Sequence, residues 1–391
     1  MLNTQLSPWP SFTQEEADAI QKVLLSNKVN YWTGDECRQF EKEFAKFSNT
    51  EFAVALSNGT LALDVALKAM NIGDGADVIV TSRTFLASAS SIVTAGANPV
   101  FADVDLNSQN ITAQSIETVL TEQTKAIIVV HLAGIPAEMD DIMALAKKHN
   151  LYVIEDCAQA HGAKYKGKPV GSIGHIGTWS FCQDKIMTTG GEGGMVTTND
   201  KELWSKMWSY KDHGKSYDAI YNRQHPSGFR WLHESFGTNW RMLEMQAVIG
   251  RIQLTRMPEW TEKRQQNAKL LENSLSTFSS IRTVEVADYI EHAQYKYYAF
   301  VKPEHPKTGW DRDRIITMLN ELGTPCYQGS CSEVYLEKAF DGTPWRPKER
   351  LKNAVELGET SLMFLVHPTL TEAEISLCCE HIKQVLTEAT I

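Results

Sequence analysis

The amino-acid sequence predicts an α/β protein: a large domain with a mostly parallel central sheet flanked by helices, then a smaller C-terminal α+β domain. Three observations carry this. Short runs of strand-forming residues alternate with helical stretches between residues 52 and 157. The strand runs are almost continuously apolar, as strands covered on both faces are. The 391 residues exceed what one ordinary core organises. The expected division is 1–250 for the large domain and 251–391 for the small one.

Each element follows in order. Residues 13–47 read as two helices with a break near Asn27–Gly34. FAVALS (52–57) is a strand and TLALDVALKAM (60–70) an amphipathic helix. ADVIVTS (76–82) is a strand, LASASSIVTAG (86–96) a helix of small residues, PVFADVD (99–105) a strand and 112–120 a short helix. KAIIVVHL (125–132) and LYVIEDC (151–157) are strands on either side of the helix EMDDIMALAKKHN (138–150). The run TWSFCQDKIMTTGGEGGMVTTND (178–200) reads as strand, polar turn with one lysine, glycine cluster and second strand. Val, Ile, Met, Trp and Thr dominate both of its flanks, as strands prefer. A helix at 201–211 follows. Residues 212–240 carry His213, Gly214, Pro226, Gly228 and Gly237 among the aromatics Tyr217, Tyr221, Phe229, Trp231, Phe236 and Trp240. An irregular segment of that length in a compact domain suggests function, and its aromatics argue for order. MLEMQAVIGRIQLTRMPEWTEKRQQNAKLLEN then reads as one long helix with a kink expected at Pro258. The remainder, from about 275, alternates short strands and helices.

Hydrophobic residues make up 42% and charged residues 22%, an ordinary balance for a soluble globular protein. The formal net charge of −10 argues against nucleic acid or an anionic membrane as partner. An anionic substrate would have to meet a local positive patch. The seven cysteines (Cys37, Cys157, Cys182, Cys326, Cys331, Cys378 and Cys379) contain no CxxC pair, and their odd count reads as reduced thiols in a cytoplasm. The N-terminus has no basic or apolar signal region, and no run of roughly 18 apolar residues occurs, so no membrane span is expected.

Lys185 lies in the turn between two expected core strands, an odd position for a solvated cation. A lysine kept short of water titrates low and can act as a nucleophilic amine toward a carbonyl cofactor. A surface loop lysine is the alternative. Four other features bear on it. SNGTLAL (57–63) places Asn58, Gly59 and Thr60 between a strand and a helix, where free N–H groups suit a phosphate or simply mark a capped helix start. Asp156 ends an apolar strand, where open α/β sheets hold ligands. It would meet a protonated pyridine nitrogen there, or cap a turn. Glu155, one residue earlier, points to the opposite face. Ser180 can share a pocket with Lys185, and Gly190, Gly191, Gly193 and Gly194 allow tight turning beside them. Phe85, in SRTFLAS, can stack on a flat ring or fill the core. Together these suit a phosphorylated, flat aromatic aldehyde with a ring nitrogen.

SNGT, the TF of SRTFLAS, PVFADVD, VHLAG (130–134), EDCAQAHGA, SFCQDKIMTTGGEGGM, GTNWRMLEMQAVIGRIQL and HPTLTEAEI span nearly the whole chain. Through them it resembles the DegT-family sugar aminotransferases. The resemblance implies the type I aspartate-aminotransferase fold and pyridoxal 5′-phosphate, with pyridoxamine 5′-phosphate carrying the amino group between half-reactions. It implies Lys185 as the Schiff-base and proton-moving lysine, Asp156 at the pyridine nitrogen, and Gln159 at the ring oxygen. Phe85 would stack on the ring, and Gly59, Thr60 and Ser180 would bind the phosphate. Asn239 would reach the phosphate of a neighbouring subunit, which implies a homodimer. L-Glutamate is the implied donor and a nucleotide-linked keto sugar the acceptor, UDP-2-acetamido-4-keto or dTDP-4-keto-6-deoxy, for surface-polysaccharide or glycan synthesis. No metal is called for. Lys211, Lys215, Arg223 and Arg230 are candidates for the diphosphate, with solvated charge as the alternative, and His213 for the same site. Two runs depart from the family pattern: the extra glycine of GGEGG, and GSCSEVYLEKAF near where the family binds the sugar nucleotide. Other readings are a dehydratase, which would carry histidine at position 185, a non-catalytic cofactor-binding regulator, and a lyase or desulfurase. The desulfurase would need Cys326 or Cys331 as an activated thiol.

Overall fold

The computed structural model describes residues 6–225, 227–228, 230–304 and 306–390; Pro226 and Phe229 of the irregular segment, and residues 1–5, lie outside the described residues. The chain opens with α1 (Gln14–Leu25) and α2 (Glu36–Phe47). Thr13 and Glu16 cap α1 reciprocally, which satisfies backbone donors the helix start leaves free. There follow β1 (Phe52–Leu56), α3 (Gly59–Ala69), β2 (Asp77–Thr81), α4 (Ala87–Thr94), β3 (Asn98–Ala102), α5 (Ala113–Glu117), β4 (Thr124–Val130), α6 (Met139–His149) and β5 (Tyr152–Asp156). A small ribbon, β6 (Lys164–Tyr165) and β7 (Lys168–Pro169), leads to β8 (Ile176–Ser180) and β9 (Gly194–Thr198). After α7 (Lys201–Tyr210) and α8 (Tyr217–Tyr221) comes α9 (Glu244–Leu275), which runs undivided through Pro258. The C-terminal part holds β10 (Ile281–Thr283), β11 (Ile290–Glu291), β12 (Tyr297–Val301), α10 (Arg312–Glu321), β13 (Cys326–Tyr327), α11 (Lys352–Thr360), β14 (Ser361–Phe364) and α12 (Glu372–Ala389).

The central sheet has the order β1-β9-β8-β5-β4-β2-β3. The strands from β8 to β3 pair in parallel, and β9 is antiparallel to both β8 and β1. Strands β1, β2, β5 and β8 therefore all present their carboxyl ends on one edge. The β8–β9 turn, which carries Lys185, opens on the same edge. Burial explains the apolar runs: Val78, Ile79, Val80, Ile127, Ile128, Val153 and Ile154 are fully buried. Each such side chain contributes roughly 1.5–3 kcal/mol of hydrophobic stabilisation. A second, antiparallel sheet, β10-β12-β14-β13, packs with α10, α12 and the far half of α9 around Leu271, Leu275, Ala299, Leu362, Phe364 and Ile382. Helix α9 begins in the first core and ends in the second.

Candidate active site

Asp156 closes β5 and is 7% exposed. Its Oδ1 accepts the Ala158 amide at 3.1 Å and its Oδ2 the Ser88 hydroxyl at 2.8 Å. Burial pushes its carboxyl up, against the Ala158 amide, Ser88 and the charge of Lys185. Among the described residues no cation pairs with it. Glu155 turns the other way, as strand alternation requires. It accepts His131 Nε2 at 3.0 Å and the amides of Gly171, Ile173 and Gly174. Burial raises its carboxyl, but His131 and the Gly171 and Gly174 amides outweigh that and hold it low. His131 Nδ1 accepts the Ala137 amide, so the other ring nitrogen carries the proton toward Glu155. Glu155 is thus a structural anion, and Asp156 is the one left for a ligand.

Gln159 stands in the turn after β5. Its Oε1 accepts the amide of Ala133, a residue held at φ 57°, which leaves its NH₂ end as the donor toward the cleft it lines. Gly59 starts α3, and a Cβ there would lie 2.6 Å from Ser180 Cβ and 3.0 Å from its Oγ. The two segments can meet only because position 59 has no side chain. Asn58 caps the helix through the Leu61 amide, and Thr60 is exposed. The result is a cradle of open helix-start amides beside two hydroxyls, which suits a phosphate.

Lys185 lines a cleft of about 890 Å³. Its ammonium lies 3.4 Å from Asp184 and 5.2 Å from the centre of the Tyr295 ring, and its carbonyl accepts Trp9 Nε1 at 2.8 Å. Phe85 lies on the cleft wall, 72% exposed, so it is no core phenylalanine. Asp156, Gly59, Thr60 and Ser180 do not line this cleft themselves. They connect to it through Ser88 and Phe85, through Ala158 and Gln159, and through Cys182, whose carbonyl takes the Lys185 amide. Asn239 is exposed and its backbone bridges Asp212, while the next residue, Trp240, takes the Ser57 amide on its carbonyl at 3.0 Å, beside the Asn58–Gly59 helix start.

Three of the proposed diphosphate cations are already engaged. Lys211 is fully buried against Glu41 at 3.1 Å, and Lys215 is buried against Asp212 at 2.8 Å. Arg223 pairs with Asp218 and Glu234. Lys211 and Lys215 are therefore corrected from ligand-binding to structural charges: a buried ammonium is tolerated only when paired. Both thiols of the desulfurase reading, Cys326 and Cys331, are pushed up by burial, the opposite of activation. Residues that sequence reasoning passed over are Trp9, Asp184, Tyr295, Lys296 and His367 on the cleft and Ser88 beside Asp156. Ser88, in the first turn of α4 just after Phe85, was the one within reach, as a hydroxyl close to a residue already singled out.

These residues fit pyridoxal phosphate. A buried carboxylate without a cation, a cradle that a Cβ would fill and a lysine in the adjoining cleft each match one part of it, and sites of this kind define enzymes that depend on that cofactor. The chain matches the DegT/DnrJ/EryC1/StrS aminotransferase family over residues 10–383 and belongs to it. It is a pyridoxal-phosphate-dependent nucleotide-sugar aminotransferase. It is similar to the solved aminotransferase from Psychrobacter cryohalolentis, with 62% identity, coverage of 98% of this chain and 99% of that one, and a TM-score of 0.96. GDP-perosamine synthase of Caulobacter vibrioides is 38% identical over 353 residues, 89% of each chain. A UDP-N-acetyl-3-dehydro-alpha-D-glucosamine 3-aminotransferase of Acidithiobacillus ferrooxidans is 42% identical over 249 residues, 64% of each.

Proposed function

We propose that this enzyme moves the amino group of L-glutamate to the 4-keto carbon of a UDP-linked 2-acetamido-2,6-dideoxyhexose, with a dTDP-linked 4-keto-6-deoxyhexose as the variant. The product would be an amino sugar for a surface polysaccharide or glycan. The observation that carries this is the cleft of about 890 Å³ with Lys185 in its wall, far more room than glutamate needs and suited to a nucleotide-linked sugar. Relatives named for GDP-linked and N-acetylated UDP-linked sugars support the acceptor class.

Bound pyridoxal phosphate supplies a carbonyl to carry the amino group and a protonated ring that takes up the electron pair released at the substrate carbon. Lys185 would hold the cofactor through its amine and, once displaced by the donor, carry a proton at Nζ between substrate carbon and cofactor. Asp156, fixed in orientation by Ser88 and Ala158, would keep the proton on the ring nitrogen. Gln159 would donate to the ring oxygen, and Phe85 would cover one ring face. Gly59, Thr60 and Ser180 would hold the phosphate. Asn239 would complete the phosphate site of a second copy. Trp231 and Phe236, 85% and 99% exposed in the same segment, support a homodimer closed over that edge. The free thiols suit a reducing cytoplasm.

The test loads the enzyme with pyridoxamine phosphate and mixes it with UDP-, dTDP- and GDP-linked keto sugars. The expected result is return of the visible cofactor absorption with a UDP-linked 4-keto sugar, and none in Lys185→Ala. Reaction with glutamate but with no member of the panel would sink the assignment.

A further inference from the structure

The described part of the cleft brings two lysines together, although the chain carries a net charge of −10. Lys185 and Lys296 both line it. Their ammonium groups lie 5.2 and 4.8 Å from the centre of one ring, that of Tyr295, so they are at most about 10 Å apart. Arg264, fully buried on α9, stands behind them with its guanidinium 5.1 Å from the Trp9 ring. Its Nη1 donates to the Gln294 and Tyr295 carbonyls at 3.3 Å, while Nε and Nη2 have no partner among the described residues. Two carboxylates line the cleft, Asp184 and Glu337. Asp184 is engaged by the Tyr295 hydroxyl and the Lys185 ammonium, and Glu337 is exposed. The Lys296 ammonium makes no ion pair or hydrogen bond among the described residues; it lies over the Tyr295 ring. Burial first, then Arg264, pushes this amine down to about 8, and Asp184 only partly opposes them. A half-buried cation without a direct ion pair destabilises the empty cleft, and an arriving anion would reverse that.

We propose that Lys296 is the anion-binding residue of the substrate cleft and holds an oxyanion at the end of the substrate away from the reacting carbon. That oxyanion is the distal carboxylate of the amino donor in one half-reaction, the diphosphate of the sugar nucleotide in the other, or both. Either molecule is short enough to bridge the gap from Lys185. The inference rests on the cleft being the substrate site of the proposed reaction. It also moves the positive patch from residues 211–240, where Lys211 and Lys215 are consumed by Glu41 and Asp212, to the start of β12.

The experiment titrates cofactor-loaded enzyme calorimetrically with glutarate and, separately, with UDP, in the native protein, Lys296→Met and Lys296→Arg. Losing one charge-assisted hydrogen bond should weaken binding of at least one probe by about 10-fold or more in Lys296→Met, with partial recovery in Lys296→Arg. Cofactor absorption should stay unchanged. Loss for glutarate alone assigns the donor carboxylate, loss for UDP alone the diphosphate, and loss for both a shared site. Affinities within twofold for both probes, or no binding of either probe to native enzyme, would overturn the proposal. Lys296→Gln replaces the Met variant if that fails to fold. A native enzyme that reacts with no keto-sugar nucleotide yet binds either probe through Lys296 would refute the acceptor and leave the anion site standing.

Discussion

Replacing Asp156 by Asn separates what this residue does for the fold from what it does for the cofactor. The carboxylate makes two hydrogen bonds, from Ala158 N at 3.1 Å and from Ser88 Oγ at 2.8 Å. An Asn oxygen can keep the first. Its NH₂ would then face Ser88, whose hydroxyl can turn to donate to Thr84 Oγ1, 2.8 Å away. Both contacts survive and a buried charge is removed, so stability without cofactor should change by less than about 1 kcal/mol. The cofactor complex loses the counter-charge of the ring nitrogen. A buried hydrogen bond to a charged group is worth about 1.5–3 kcal/mol, which predicts roughly 10- to 150-fold weaker cofactor binding. Turnover should fall further, by about 10² to 10³, because charge stabilisation is greatest in the transition state. Fluorescence titration of cofactor into the apo protein, melting with and without cofactor, and kcat with glutamate measure the three quantities. Native-like cofactor affinity and kcat in Asp156→Asn would refute the ring-partner argument; a large loss of apo stability would show that the charge is structural.

Two further outcomes follow from the geometry. Gly59→Ala puts a methyl 2.6 Å from Ser180 Cβ and 3.1 Å from its Cα, an overpacking that costs about 1–3 kcal/mol. It should also lower affinity for the phosphorylated cofactor more than for pyridoxal, and equal losses for both would remove the cradle from the phosphate site. His161 and His367 are held down to about 3 by burial first, then by Lys185 and Arg264 for the one and Arg264 and Lys296 for the other, against 6.5 unfolded. The unfolded chain therefore binds more protons between these values. Their contribution is complete above about pH 6.5 and declines as pH falls toward 3, by up to about 1.4 kcal/mol per pH unit for each ring. Urea midpoints between pH 7 and pH 4.5 should fall steadily, and a flat profile would contradict the burial of both rings.

What the sequence made legible was what depends on neighbours along the chain. Asp156 announced itself by ending an apolar strand, Gly59 and Thr60 by opening a helix, and Lys185 by interrupting two strands. The sheet order was less accessible, because β9 inserts between β1 and β8 and so departs from simple strand–helix alternation. The cations show why the rest was hidden. Lys211 looks available in a polar segment until Glu41, 170 positions away, is folded against it. Lys296 looks like any lysine between tyrosines until folding sets it in the same cleft as Lys185. Trp9 carried no local sign that its indole would hold the carbonyl of Lys185. In each case the deciding partner lies elsewhere in the chain, and pairing of that kind has no periodic signature.

The adjacent carboxylates of β5 make the placement of that strand a condition of the chemistry. Asp156 is paired in register with Val130 of β4 and Thr178 of β8. A slip of one residue against either neighbour would turn every side chain of β5 over. It would turn Glu155 to the side of Ser88 and bury Asp156 among the Gly171 to Gly174 amides. Both would still be acidic residues on a well-formed strand, and an average measure of secondary structure would barely notice. The enzyme therefore has a way to be folded and inert, and the ladder between β4, β5 and β8 guards against it.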